Sequence, residues 1–217
     1  MQPRITPIVL NIIIVNVLVF LFIQLNFEQI NLCSTGWNEY FLLYKSGFFF
    51  PAEAGCGSFK PIQLVSSMFS HFDFMHILFN MFTLFSLGTA VEMVMKRRNF
   101  LILYLFSGLF GTVITWLFDP APNPVLGASG ALFGVFAAFA YFYPTARLSM
   151  LFIPIGIKAR NLILGITVIS LGLMVWNLLM PKYAVLDGIS HFGHMAGLAG
   201  GYLFLYRRKI LGIFSGR

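Results

Sequence analysis

The chain has 217 residues, of which 59% are hydrophobic and 10% charged, with a net charge of +7 and a mean hydropathy of +0.86. That composition excludes a soluble globular domain and a disordered chain, and implies a membrane protein. In so apolar a chain the excess of basic residues reports orientation in a bilayer, and no nucleic-acid partner is expected.

Apolar stretches long enough to cross a hydrocarbon core of ~30 Å recur at approximately 7–26, 74–95, 99–118, 129–146, 160–180 and 190–206. They predict an all-α polytopic bundle of six transmembrane helices, a single membrane domain over 1–217 with no separate soluble part. The first stretch has no small-residue cleavage site and runs into polar Asn26-Phe-Glu-Gln, so it reads as a retained helix rather than a signal peptide. With the N-terminus inside, Arg4, Lys96-Arg97-Arg98, Arg147, Lys158, Arg160, Arg207-Arg208-Lys209 and Arg217 all fall inside. These are eleven of the fourteen basic residues, leaving Lys45, Lys60 and Lys182 outside. This positive-inside pattern puts both termini in the cytoplasm, and we expect a multi-pass protein of the cell (inner) membrane.

The loop at 27–61 then lies on the outer side and holds both cysteines, Cys33 and Cys56, as a disulfide or as two unpaired thiols. Its aromatic residues, Trp37, Tyr40, Phe41, Tyr44 and the Phe48-Phe49-Phe50-Pro51 run, suit a loop seated in the membrane interface.

Polar groups within apolar segments are costly and call for partners. The four histidines fall in two strings, Ser70-His-Phe-Asp-Phe-Met-His-Ile-Leu-Phe-Asn80 and Ser190-His-Phe-Gly-His-Met-Ala-Gly-Leu-Ala-Gly-Gly201. His76 and Asn80, four apart, share one helix face and can both donate toward a common point in the bundle, or act as interhelical glue. His71 falls near the water boundary, which suggests a helix-start or interfacial role, and His191 is given a packing role. Gly193, Gly197 and Gly201 form a ladder with His194 beside it, and Gly130 and Gly134 form another with Ser129 beside it. Helices that approach closely along such ladders bring a serine hydroxyl within reach of an imidazole, which would act as its general base. After Asp119-Pro-Ala-Pro-Asn-Pro124, Ser129 also fits an ordinary helix N-cap, and a cap position would set backbone N–H groups beside the hydroxyl. None of the seven carboxylates lies in a membrane helix near His194 in sequence, so a Ser–His dyad is predicted rather than a triad.

With these residues assembled, the sequence closely resembles the rhomboid family of intramembrane serine proteases, over roughly residues 61–206. The matching strings are His76-Ile-Leu-Phe-Asn80, Gly88-Thr-Ala-Val-Glu92, Gly127-Ala-Ser-Gly130 and Gly193-His-Met-Ala-Gly197, in the family's order. The resemblance implies that Ser129 is the nucleophile, that His194 is the general base and acid, and that His76, Asn80 and the Ser129 amide stabilise the oxyanion. Two departures stand out: Trp37 is followed by Asn38 where many members have Trp-Arg, and Phe133 stands where relatives often carry Tyr. Phe133 lacks the hydroxyl but keeps a ring to stack on His194.

The function expected is thus an endopeptidase cutting transmembrane segments of other membrane proteins near the outer leaflet, with the lipid bilayer as its medium and no cofactor or metal. The competing reading is a catalytically inactive rhomboid-like protein that binds membrane-helix clients. A metal-dependent enzyme or transporter ranks lower, since no H-E-x-x-H string or nearby carboxylate ligand accompanies the histidines.

Overall fold

The computed structural model describes residues 5–26, 37–44, 58–119, 124–150, 153–180 and 190–210. Cys33, Cys56 and the Phe48-Phe49-Phe50 run lie outside the described residues, and with them the disulfide question and most of the loop at 27–61.

Helix α1 (Pro7–Asn26) is apolar on all sides, a pattern suited to lipid. Pro7 takes its first position, where a missing N–H costs nothing. The next two free amides go to Glu92: Ile8 N donates to Oε1 at 3.2 Å and Val9 N to Oε2 at 2.9 Å. Glu92 is 2% exposed, and a carboxylate so deep needs the donors and the positive end that a helix N-terminus provides.

A short helix, α2 (Gln63–Ser66), and a 3-10 turn (Ser67–Phe69) lead to α3 (Phe74–Thr83). Asp73 caps α3, its Oδ1 accepting His76 N at 2.8 Å. A π turn at Leu84–Gly88 joins α3 to α4 (Thr89–Met95), so Phe74–Met95 forms one span. The helix breaks at Lys96, with φ 68°, and α5 (Arg97–Phe118) returns across the bundle.

Helix α6 (Ser129–Phe142) is shorter than the expected 129–146. The chain leaves helical geometry at Tyr143, with φ −129° and ψ 50°, because Pro144 disfavours the helical conformation in the residue before it. A hairpin absent from the sequence reading follows: β1 (Arg147–Met150) pairs antiparallel with β2 (Ile153–Lys158), Arg147 opposite Lys158 and Leu148 opposite Ile157. Then come α7 (Ala159–Leu179) and α8 (His191–Ile210).

Four segments are long and apolar enough to cross a membrane: Pro7–Leu25, Phe74–Met95, Arg97–Phe118 and Ala159–Leu179. The 14-residue α6 and the glycine-rich α8 are not among them. The chain is a mainly helical, multi-pass membrane bundle whose core lies where α6 and α8 pack on α5. Phe100, Leu103, Ala131, Val135, Ala137 and Ala138 are sealed inside it, while peripheral α7 turns Leu164, Val168, Ile169 and Leu179 outward. That outward apolar surface, a liability in water, is what a bilayer requires.

Candidate active site

Ser129 is the first residue of α6, and Ala128 holds the N-cap position with no side-chain cap bond. The N-cap reading of Ser129 is therefore corrected by one residue: its hydroxyl does not turn back to the helix amides. Instead Ser129 Oγ lies 2.9 Å from His194 Nε2. The His194 ring stacks on Phe133, one turn into α6, with centroids 4.3 Å apart and planes 14° from parallel. Among the described residues no carboxylate hydrogen-bonds the His194 ring.

Glycine contacts explain how α6 and α8 come this close. A Cβ on Gly197 would run into the Gly130 carbonyl, and one on Gly201 would sit 2.7 Å from Gly134 Cα and 2.9 Å from its oxygen. Gly193 faces Thr115 Oγ1 and Ser190 Oγ, each 3.2 Å from where its Cβ would be, and Gly134 abuts the Ser107 side chain. The sequence reading missed a third helix at this junction. Gly111 of α5 has only 3.0 Å between a would-be Cβ and the Gly193 carbonyl oxygen. Ser107 and Gly111, four residues apart and packed on Gly134 and Gly193, are the same small-residue signal that marked the other two helices.

Two residues before Ser129, Gly127 has φ +122°, backbone that only glycine adopts readily. Its N–H donates to Ser67 O at 2.8 Å. A Cβ there would lie 2.8 Å from His76 Nε2, 3.0 Å from its Cε1 and 3.9 Å from Asn80 Nδ2. Both nitrogens of the His76/Asn80 pair thus converge beside the approach to Ser129. Phe72 N donates to His76 Nδ1 at 3.4 Å, so the neutral ring carries its proton on Nε2, the nitrogen facing Gly127. Asn80 Nδ2 is buried and has no hydrogen-bond partner among the described residues.

The other two histidines pack against these rings. His71, just before the start of α3, is fully buried and edge-on to His76, centroids 4.9 Å apart. His191 is buried at the start of α8, edge-on to His194 at 6.2 Å. Among the described residues no three His, Cys, Asp or Glu side chains gather as a metal site.

Outside the bundle, the described part of the first loop is tied down by polar contacts where the Trp-Arg pair is lacking. Glu39 accepts from Lys60 Nζ at 2.7 Å and from Ser58 N at 3.3 Å. Gln63 Nε2 donates to Glu39 O at 2.7 Å, and Ser66 Oγ donates to Tyr40 O. The Lys60 ammonium holds the Glu39 carboxyl below its ordinary pKa, and Glu39 in turn raises Lys60. Leu43 then pairs with Val125 through N–H···O bonds of 2.9 and 3.0 Å, so the loop braces the strand that delivers Ser129. A small cleft opens beside Ser129, with Thr112, Thr115 and Ser190 among the residues around it.

Residues 58–209 match the family model of the rhomboid domain. The chain belongs to the rhomboid family. It is 35% identical over 101 residues to Rhomboid protein 1, mitochondrial, of Saccharomyces cerevisiae, covering 44% of this chain and 29% of that one. It is 34% identical over 140 residues to Rhomboid protease GluP of Bacillus subtilis, 64% of this chain and 24% of the relative. With Presenilin-associated rhomboid-like protein A, mitochondrial, of Danio rerio, identity is 31% over 149 residues, 67% of this chain and 36% of the relative. The chain therefore spans about a quarter to a third of the length of these relatives. Within the rhomboid domain, Glu92 closes the Gly88-Thr-Ala-Val-Glu92 string that the sequence reading left without a role, and that role is to hold α1 by its amides.

Proposed function

We propose that this rhomboid is an intramembrane serine endopeptidase that cleaves transmembrane segments of other membrane proteins with a Ser129–His194 dyad. The observation that carries the reading is the 2.9 Å contact between Ser129 Oγ and His194 Nε2, made by a ring held flat on Phe133. In this mechanism His194 Nε2 takes the hydroxyl proton as Ser129 Oγ attacks the scissile carbonyl. The oxyanion so formed is met by His76 Nε2–H, Asn80 Nδ2–H and the Ser129 amide, the first two already aimed at the Gly127 approach. Collapse expels the amine, which receives the proton from His194. Water then adds to the acyl-enzyme with His194 again as base, which frees the serine and releases the new carboxyl end. The cleft beside Ser129 supplies room for that water.

The reading extends to placement. One membrane domain over 1–217 crosses the cell (inner) membrane six times, with α6 and α8 as the fourth and sixth spans and both termini in the cytoplasm. At 1.5 Å per residue, the 14 residues of α6 reach only ~21 Å, so Ser129 sits below the outer surface, open to water there. Lys96-Arg97-Arg98, the Arg147/Lys158 pair and Arg207-Arg208-Lys209 all lie at the opposite helix ends from Ser129 and His194, which supports this orientation. The substrate is a transmembrane helix cut near the outer leaflet, where its carbonyl can leave the helical ladder.

The test is labelling of the purified protein by a fluorophosphonate probe, followed by mass-spectrometric mapping of the modified residue and of cuts in a panel of model transmembrane substrates. Modification at Ser129 and cleavage of a transmembrane segment are expected. A folded protein that neither labels nor cleaves would be the inactive client-binding form instead.

A further inference from the structure

Ser190 stands immediately before α8, and its Oγ accepts Gly193 N at 3.1 Å, the bond of a helix N-cap. The same oxygen lies 3.4 Å from Asp119 Oδ2 and 3.4 Å from Thr115 Oγ1, both at the end of α5. The Ser190 carbonyl accepts His194 N at 3.1 Å. One residue thus ties the first turn of α8 to the last turn of α5, and the backbone amide that hangs from it belongs to His194.

We propose that Ser190 and Asp119 are positioning residues for His194, an inference that rests on the Ser129–His194 reading. Phe133 fixes the plane of the imidazole, and Ser129 takes one of its nitrogens. Neither fixes how far α8 has slid or turned against its neighbours. The surfaces it slides on are glycine: Gly193 and Gly197 against Gly111 and Gly130. Glycine faces permit close approach but offer no knobs to lock register. The Asp119–Ser190 contact supplies that lock at the end of α8 nearest the dyad. A third acid is thus not absent from this enzyme; it serves the imidazole through the helix frame rather than through the ring. A misplacement of ~1 Å costs up to ~10²-fold in rate, so a loose cap acts on turnover first.

The experiment compares full-length Ser190→Ala, Asp119→Ala, their double variant, Ser190→Asn and Ser129→Ala with wild type. It measures fluorophosphonate labelling rate, kcat and KM on a transmembrane substrate that wild type cleaves, and thermal unfolding. Asparagine keeps both functions of the serine, since its amide oxygen accepts Gly193 N and its NH₂ donates to Asp119. Ser190→Ala and Asp119→Ala are expected to lower kcat and labelling by about tenfold or more with KM little changed. Ser190→Asn is expected to stay within about threefold of wild type, and the double variant to be no worse than the worse single, as for residues acting as one unit. Unchanged turnover in Ser190→Ala, an equal loss in Ser190→Asn, or a loss that vanishes once corrected for the unfolded fraction would overturn the proposal. Turnover or labelling retained by Ser129→Ala would overturn the dyad itself, so the two failures are distinguishable.

Discussion

Replacing Gly127 by alanine places a methyl group where backbone and side chains both forbid it. With φ at +122°, an L-residue there is strained by about 1–3 kcal/mol. The new Cβ would also stand 2.8 Å from His76 Nε2 and 3.0 Å from its Cε1, closer than carbon and nitrogen tolerate, so the ring must move. The ring cannot retreat freely, because Phe72 N holds its Nδ1 and His71 backs it edge-on. Displacing His76 removes one oxyanion donor, and losing one donor costs ~10²–10³ in kcat. Gly127→Ala should therefore lower kcat by about two orders of magnitude with little change in KM, and lower stability by ~1–3 kcal/mol. The assay is steady-state cleavage of a transmembrane substrate in detergent, alongside reversible unfolding of the same samples. A folded Gly127→Ala enzyme with wild-type kcat would refute the reasoning, since His76 could not then be a donor to the reacting carbonyl.

Ser129→Ala and His194→Ala should each abolish cleavage, and the double variant should be no worse than either, because nucleophile and base act as a unit; additive losses in single-turnover rates would contradict this. Asn80→Ala should keep measurable activity at ~10²–10³ below wild type, since His76 and the Ser129 amide remain, as steady-state kinetics will report. Glu92→Ala leaves Ile8 N and Val9 N without their acceptors in a buried site and should cost ~1–3 kcal/mol, read as a lowered unfolding midpoint. The Glu39–Lys60 tie has a defined pH window. Glu39 lies below its ordinary 4.5, so its contribution is complete above that pH and lost as pH falls through the depressed value. Lys60 lies above its ordinary 10.5, so its contribution is complete below that pH and lost as pH rises through the raised value. Limited proteolysis of the first loop should accordingly be slow between those limits and faster beyond them, and Glu39→Gln should remove the acid limb.

Much of the fold was legible because its causes are local or belong to the solvent. Apolar runs read as helices because lipid satisfies no backbone group, so a spanning chain must bond within itself. The start of the second span at Phe74, where Asp73 caps α3, falls where the apolar run puts it. The end of α6 does not: the apolar run puts it at 146 because it continues past Pro144, the residue that stops the helix. The hairpin at Arg147–Lys158 was hidden, since its apolar residues continue the composition of the spans on either side. Ser190 carried a readable cap signal three residues before Gly193, but nothing local tied it to Asp119, 71 positions away.

Sequence alone thus determined that this chain is a helical membrane protein, and which few polar residues have no reason to be in lipid. Tertiary structure decided what those residues do to one another. Ser129 and His194 are 65 residues apart, and whether a hydroxyl caps its own helix or meets an imidazole depends on how two glycine faces settle together. Glu92 could not be paired with the amides of α1 from either segment by itself. Periodicity and composition act over one or two turns of helix, whereas a contact between helices is chosen by packing among all of them at once, and only the assembled bundle makes that choice.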